Sequence, residues 1–143
     1  MPYRYLEGIA TADIAFEAWG KDPEELFISS ADATMNVMVE RLESIRMDEQ
    51  VSLELEHTDL DLLLFSFLNE LVYYKDARRL LLRIRQISLQ RENGKIFLHA
   101  TTSGERLDPE RHQLNVDVKA VTLHLFRVEQ TDNGWKATVV LDI

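Results

Sequence analysis

The sequence of 143 residues contains no cysteine, which excludes disulfide bonds and metal sites with thiolate ligands. It also lacks the glycine-rich phosphate loops of nucleotide-binding proteins, the HExxH pair of zinc proteases and the GxSxG turn of serine hydrolases. Its four histidines are scattered without metal-ligand spacing: His57, His99, His112 and His124. We therefore predict structural or surface roles for the histidines, and no catalytic residue.

Long apolar runs and an excess of positive charge are absent as well. No segment reaches the roughly 20 apolar residues of a membrane span, and the N-terminus has no secretion leader, so we expect a cytoplasmic protein. The 25 acidic residues outnumber the 16 basic ones, giving a net charge of −9. Strong direct binding to nucleic acid is not expected, because it depends on clustered Lys and Arg. An acidic surface suits a basic protein partner or metal cations, although it also simply keeps a protein soluble.

The hydrophobic fraction of 45% is enough to bury the core of a single domain, which we expect to span residues 1–143. Residues 13–20 alternate between apolar and polar side chains, as a strand does. A helix start follows, since Asp22 can cap, Pro23 suits the first helical position, and Glu25 stands where a capping box places an acid. The chain thus begins with a strand followed by a helix.

The rest of the chain is predicted to be rich in strands. Further elements are expected at residues 51–56 (strand), 60–74 (helix), and 115–128 and 134–143 (strands). Asn93 and Gly94 are typical of a tight hairpin between two more strands, and a slip in the apolar pattern predicts a bulge at Lys119–Val121. The predicted fold is α+β, with two helices packed on one face of a mostly antiparallel sheet.

The C-terminus is predicted to end on a strand, whereas most chains end in mobile, solvent-exposed residues. One face of this strand is an apolar row: Trp135, Ala137, Val139, Leu141 and Ile143. Asp142 lies on the other face, next to the carboxylate that ends the chain. If the strand is held in a sheet, two acidic groups are fixed close together, and such a pair needs a metal cation, a lysine or a proton.

Three separate segments of the chain resemble motifs of the archease family. They are Ala10–Ile14 ahead of Trp19 and Gly20, then Val118–Thr122, and finally Val139–Ile143. The order and spacing of the three motifs match the family over the whole chain, which makes the resemblance specific. It implies a small α+β protein that is not itself an enzyme.

The resemblance also implies a function and a partner. Archeases assist RtcB-type RNA ligases, which join RNA ends during tRNA splicing, by promoting guanylylation of the ligase and its repeated turnover. The family's metal site, described with calcium, corresponds here to Asp13, Asp142 and Ile143, and its functional lysine corresponds to Lys119. Carboxylate ligands of this kind suit Ca²⁺, with Mg²⁺ or Mn²⁺ as alternatives.

Two positions depart from the family pattern. Where the family usually has histidine, this chain has Ala10, and the tyrosine that often follows the lysine motif is Leu123. If the missing imidazole orients the metal-binding aspartate, we expect weaker metal binding, whereas a purely structural histidine is replaceable. The change at Leu123 bears on the surface that meets the partner.

An alternative function uses the same residues. Asp13, Asp142 and Lys119 are also the groups that a metal-dependent hydrolase or phosphoryl-transfer enzyme would need around its ion. Such an enzyme should also show a general base or nucleophile with an orienting partner, and no such set is evident in the sequence. The sequence therefore favours the ligase activator.

Overall fold

The computed structural model describes residues 2–7 and 13–143, and this part of the chain contains seven strands and two helices. The strands are β1 (Tyr3–Leu6), β2 (Asp13–Gly20), β3 (Glu49–His57), β4 (Leu80–Glu92), β5 (Lys95–Arg106), β6 (Ala120–Thr131) and β7 (Gly134–Asp142). The helices are α1 (Pro23–Met38) and α2 (Leu60–Arg78), and a short 3-10 turn covers Leu42–Ser44. The α+β class and the two helices are confirmed.

The strands form two antiparallel sheets, where the sequence predicted one. The first has the order β1-β2-β7-β6 and the second the order β3-β5-β4. Each helix contacts strands of both sheets, α1 through β2 and β4, and α2 through β6, β4 and β3. Burial on more than one side explains why α2 is apolar nearly all round. Within the described residues, neither helix combines the length and the apolar character needed to cross a membrane.

Local signals in the sequence set the ends of several elements. The Asp22 carboxylate accepts a hydrogen bond from the Glu25 N–H at 2.8 Å and caps α1. The Glu25 side chain reaches back to the N–H of Lys21, not to that of the cap residue as a capping box requires. Asn93 and Gly94 both have positive φ angles, 52° and 77°, and form the predicted turn between β4 and β5.

The predicted bulge at Lys119–Val121 is wrong. Lys119 precedes β6, and the first three residues of β6 pair regularly with β7, beginning with Ala120 opposite Asp142. The register shifts between Thr122 and Arg127, where Leu125 has a φ of 55°. The irregularity in β6 therefore lies after Thr122, several residues later than the apolar pattern predicted, and the segment next to Lys119 pairs regularly.

Candidate functional site

Asp13 and Asp142 stand directly opposite each other where β2 and β7 pair at one end of the first sheet. The next pair is Ile14 with Leu141, and Leu141 is fully buried in the core. Because side chains alternate along a strand, both aspartates project from the face opposite the core. Directly opposite residues hold their Cβ atoms about 4.5 to 5.5 Å apart, so the two aspartate side chains leave the sheet next to each other.

Lys119 reaches the same end of the sheet through its backbone. Its N–H donates a 2.8 Å hydrogen bond to the carbonyl oxygen of Asp142, just before Ala120 begins the pairing of β6 with β7. The Lys119 side chain is exposed and forms no ion pair with any described residue, including the two aspartates. Its ammonium group can therefore meet a group from another molecule.

Ile143 completes this end of the chain. It is half-buried and directly follows Asp142, the last residue of β7. β7 is flanked by β2 on one side and β6 on the other, which ties the C-terminus down as the sequence predicted. All four predicted site residues thus come together from three distant stretches of the chain. Ala10, at the position where the family usually has histidine, falls outside the described residues.

The sheet neutralises another acid on the same face, whereas the described residues give this aspartate pair no cationic partner. Glu17, four residues along β2, lies 2.7 Å from the Arg4 guanidinium and 3.4 Å from the Lys136 ammonium. The hydrogen bond from Arg4, with a smaller contribution from Lys136, lowers the pKa of Glu17 despite its partial burial. Among the described residues, no ion pair or side-chain hydrogen bond involves the Asp13 or Asp142 carboxylate.

The donor atoms at this position fit a hard divalent cation. Opposed carboxylates repel each other, and a bound cation would relieve that repulsion. Oxygen ligands of this kind suit Ca²⁺, Mg²⁺ or Mn²⁺. Within residues 2–7 and 13–143, no group of three His, Asp or Glu side chains is placed to hold a metal. The family resemblance assigns the third protein ligand to Ile143, which directly follows Asp142.

A surface groove of about 350 Å³ opens beside Asp13. Its lining combines β1, β2, α1 and the segment before β6: Tyr5, Leu6, Asp13, Ile14, Asn36, Val37, Asn115 and Val116. Asp13 and Ile14 border this groove from β2, on the side of the first sheet that α1 covers.

Two polar side chains of α2 hold the segment that carries Lys119, and the sequence analysis missed both. Lys75 donates to Asp117 and to the Val118 carbonyl, each at 2.7 Å, and Asn69 bonds the backbone of Val121. Their partners lie 42 to 52 positions away in the sequence, beyond the reach of local patterns. The available signal was a lysine within a helix that is otherwise apolar nearly all round.

The buried histidine belongs to a structural network elsewhere in the molecule. His112 is 2% exposed, and its Nε2 lies 2.8 Å from the Glu105 carboxylate while Nδ1 accepts the Asp108 N–H. Burial alone would raise the pKa of Glu105, but hydrogen bonds from Arg111, the Arg46 N–H and His112 lower it to about 2. This network joins β5 to the loop that follows it, which supports the predicted structural role of His112.

Comparison with known proteins places the whole fold in one family. The model of the Archease protein family matches residues 3–143. A protein archease from Pyrococcus furiosus is 36% identical over 134 residues, covering 93% of this chain and 94% of the relative. The protein archease of Archaeoglobus fulgidus is 36% identical over 143 residues, covering both chains completely.

Solved structures agree in fold. The solution structure of a Methanobacterium thermoautotrophicum protein has a TM-score of 0.85 and 29% identity, and the match covers 99% of both chains. A crystal structure from Thermotoga maritima, described as an archease and possible chaperone, has a TM-score of 0.65 at 22% identity, covering 96% of this chain and 97% of the other. With the family model and relatives above 30% identity extending over nearly the whole sequence, this chain belongs to the archease family.

Proposed function

We propose that this protein is an activator of an RtcB-type RNA ligase in tRNA splicing, and that it promotes ligase guanylylation and multiple turnover through a carboxylate metal site. The observation that carries the proposal is the pairing of Asp13 with Asp142, with the Lys119 N–H bonded to the Asp142 carbonyl. Membership of the archease family supports the same function.

The residues at the site have separable roles in this proposal. Asp13, Asp142 and the terminal carboxylate of Ile143 hold a Ca²⁺, Mg²⁺ or Mn²⁺ ion. When bound, the ion supplies positive charge that attracts phosphate or carboxylate oxygens of the ligase. The Lys119 ammonium donates hydrogen bonds to the same class of acceptor. These groups meet the partner at the end of the first sheet.

A protein partner also agrees with the rest of the molecule. The net charge of −9 disfavours binding to RNA phosphates by this protein alone, so RNA specificity belongs to the ligase. The Thermotoga maritima structure is described as an archease and possible chaperone. Among the described residues, no histidine lies on β2 or β7, the strands that carry the aspartate pair.

A ligation assay tests the proposal. RtcB-type ligase is kept limiting, with GTP, Mn²⁺ and RNA bearing a cyclic phosphate, and product is counted per ligase molecule with and without this protein. We expect a single turnover or less without it and many turnovers with it. An unchanged turnover number would reject the activator. A parallel reaction without ligase tests the hydrolase alternative, which predicts metal-dependent loss of the cyclic phosphate.

A further inference from the structure

The ammonium group of Lys75 is buried, yet all three of its N–H donors are matched. Its side chain is 4% exposed. Nζ donates to Asp117 Oδ1 at 2.7 Å, to the Val118 carbonyl at 2.7 Å and to the Asp76 carboxylate. An ammonium has three donors and no acceptor, so this set satisfies it completely. The lysine therefore links α2 to the two residues that precede Lys119.

Asn69 makes a second link on the other side of Lys119. Its Oδ1 accepts the Val121 N–H at 3.1 Å, and its Nδ2 donates to the Val121 carbonyl at 3.3 Å. β6 is an edge strand of the first sheet, so this backbone edge would otherwise lack a partner strand. The asparagine amide satisfies both backbone groups of Val121 as a neighbouring strand would.

Lys119 lies between these two links and is held from the sheet side as well. Val118 and Val121 are buried, at 0% and 3% exposure, while Lys119 between them is exposed. The Lys119 N–H bonds the Asp142 carbonyl of β7. The backbone around Lys119 is thus held by α2 on one side and by β7 on the other.

We propose that Lys75 and Asn69 are positioning residues for the site formed by Asp13, Lys119 and Asp142. This positioning role deepens the proposed function. Only the expected effect on ligation turnover rests on that function. A methionine at position 75 would fill similar space but could not hold the Val118 carbonyl or the Asp117 carboxylate. Asp76 and Asp117 are both exposed, so removing the lysine leaves no buried carboxylate without a partner, and the proposed effect of Lys75 is to fix geometry.

Amide hydrogen exchange tests the positioning directly. We expect Lys75→Met to accelerate exchange of the Lys119 amide at least tenfold, with amides of β3 and β5 unchanged. Asp117→Ala removes one acceptor from an exposed residue, so it should fold readily and accelerate the same amide by a smaller factor. Val51→Ala, a buried change in β3, is the control for general loss of stability and should leave the Lys119 amide at the wild-type rate.

Two exchange results would overturn the inference. One is a Lys119 amide that exchanges at the wild-type rate in both Lys75→Met and Asp117→Ala. The other is equal acceleration in Val51→Ala, which would reveal general destabilisation. If Lys75→Met does not fold, Asp117→Ala and the control decide alone.

Ligation separates this inference from the proposed function. We expect Lys75→Met to lower the maximal turnover at saturating protein at least fivefold, while Val51→Ala retains wild-type turnover. Wild-type turnover in a Lys75→Met protein whose Lys119 amide exchanges fast would overturn the positioning role and leave the activator function standing. If the wild-type protein does not stimulate ligation, the proposed function fails, and the exchange rates still decide whether α2 positions Lys119.

Discussion

Asp13 and Asp142 are directly opposite cross-strand partners in the register of β2 and β7, and no described cationic side chain forms an ion pair with either of them. Glu17, on the same face of β2, has both Arg4 and Lys136 as ion-pair partners. The sheet therefore concentrates unbalanced negative charge at the end where the chain terminates.

Calcium should stabilise the folded protein through this pair. We expect 100 Kd of calcium to add about 2.7 kcal/mol to the free energy of unfolding, and Asp13→Asn or Asp142→Asn to abolish the rise in Tm. In the presence of a chelator, each variant should instead be more stable than the wild type by a few tenths of a kcal/mol, because it lacks one of two opposed negative charges. Thermal unfolding with calcium and with chelator measures both effects.

Glu56→Gln is the matched control for these variants. Glu56 is an exposed acid on β3 of the second sheet, so its removal changes the net charge equally without touching the site. A calcium-induced shift that survives in both Asp13→Asn and Asp142→Asn would refute these residues as ligands.

A C-terminal extension should weaken the site. Adding residues after Ile143 converts the terminal carboxylate into a neutral amide and removes one of three expected ligands. We expect at least a tenfold rise in the calcium Kd, measured by calorimetry, while the same extension placed at the N-terminus has little effect. Equal affinity in the two tagged proteins would show that the terminal carboxylate is not a ligand.

Glu105 should make stability depend on pH in the acid range. Its pKa falls from 4.5 to about 2 in the folded state. The contribution of the ionised Glu105 carboxylate to the free energy of unfolding is therefore complete above pH 4.5 and is lost as the pH falls towards 2. Glu105→Gln should therefore cost on the order of 2 kcal/mol at pH 7. Urea unfolding at several pH values checks this, and the gap between variant and wild type should close below pH 4.5. A gap that stays constant down to pH 2.5 would contradict the assignment.

Leu125 should be a site of stored backbone strain. Its φ of 55° is in the left-handed region, which costs a residue with a Cβ roughly 1 to 2 kcal/mol and glycine much less. Leu125→Gly should raise Tm by a few degrees despite glycine's greater chain entropy. Leu123 is equally exposed at 58% and has no positive φ, so Leu123→Gly should lower Tm. A loss of Tm in both variants would show that Leu125 is not strained.

Local signals made much of the fold predictable. The alternation over residues 13–20 predicts the bounds of β2, Asp22 predicts the start of α1, and Asn93 with Gly94 predicts the hairpin. Each of these signals acts within a few residues of the chain. The division into two sheets and the register shift after Thr122 depend on pairing between distant strands, which apolar patterns do not specify.

The candidate site was predictable only in part. Strand alternation predicted that Asp142 and Ile143 are tied down, but Asp13 and Lys119 entered through the family resemblance, since a lone aspartate or lysine in a sequence is not distinctive. Lys75 and Asn69 were not predicted, because their roles come from contacts that exist only once α2 lies against β6.

The most direct test of the proposed metal site is a ligation assay in which RtcB-type ligase is limiting. It counts the RNA molecules joined per ligase molecule and compares Asp142→Asn with Glu56→Gln. The proposed metal site predicts many turnovers with wild type and Glu56→Gln, and no more than about one with Asp142→Asn. Equal turnover with Asp142→Asn and wild type would contradict it.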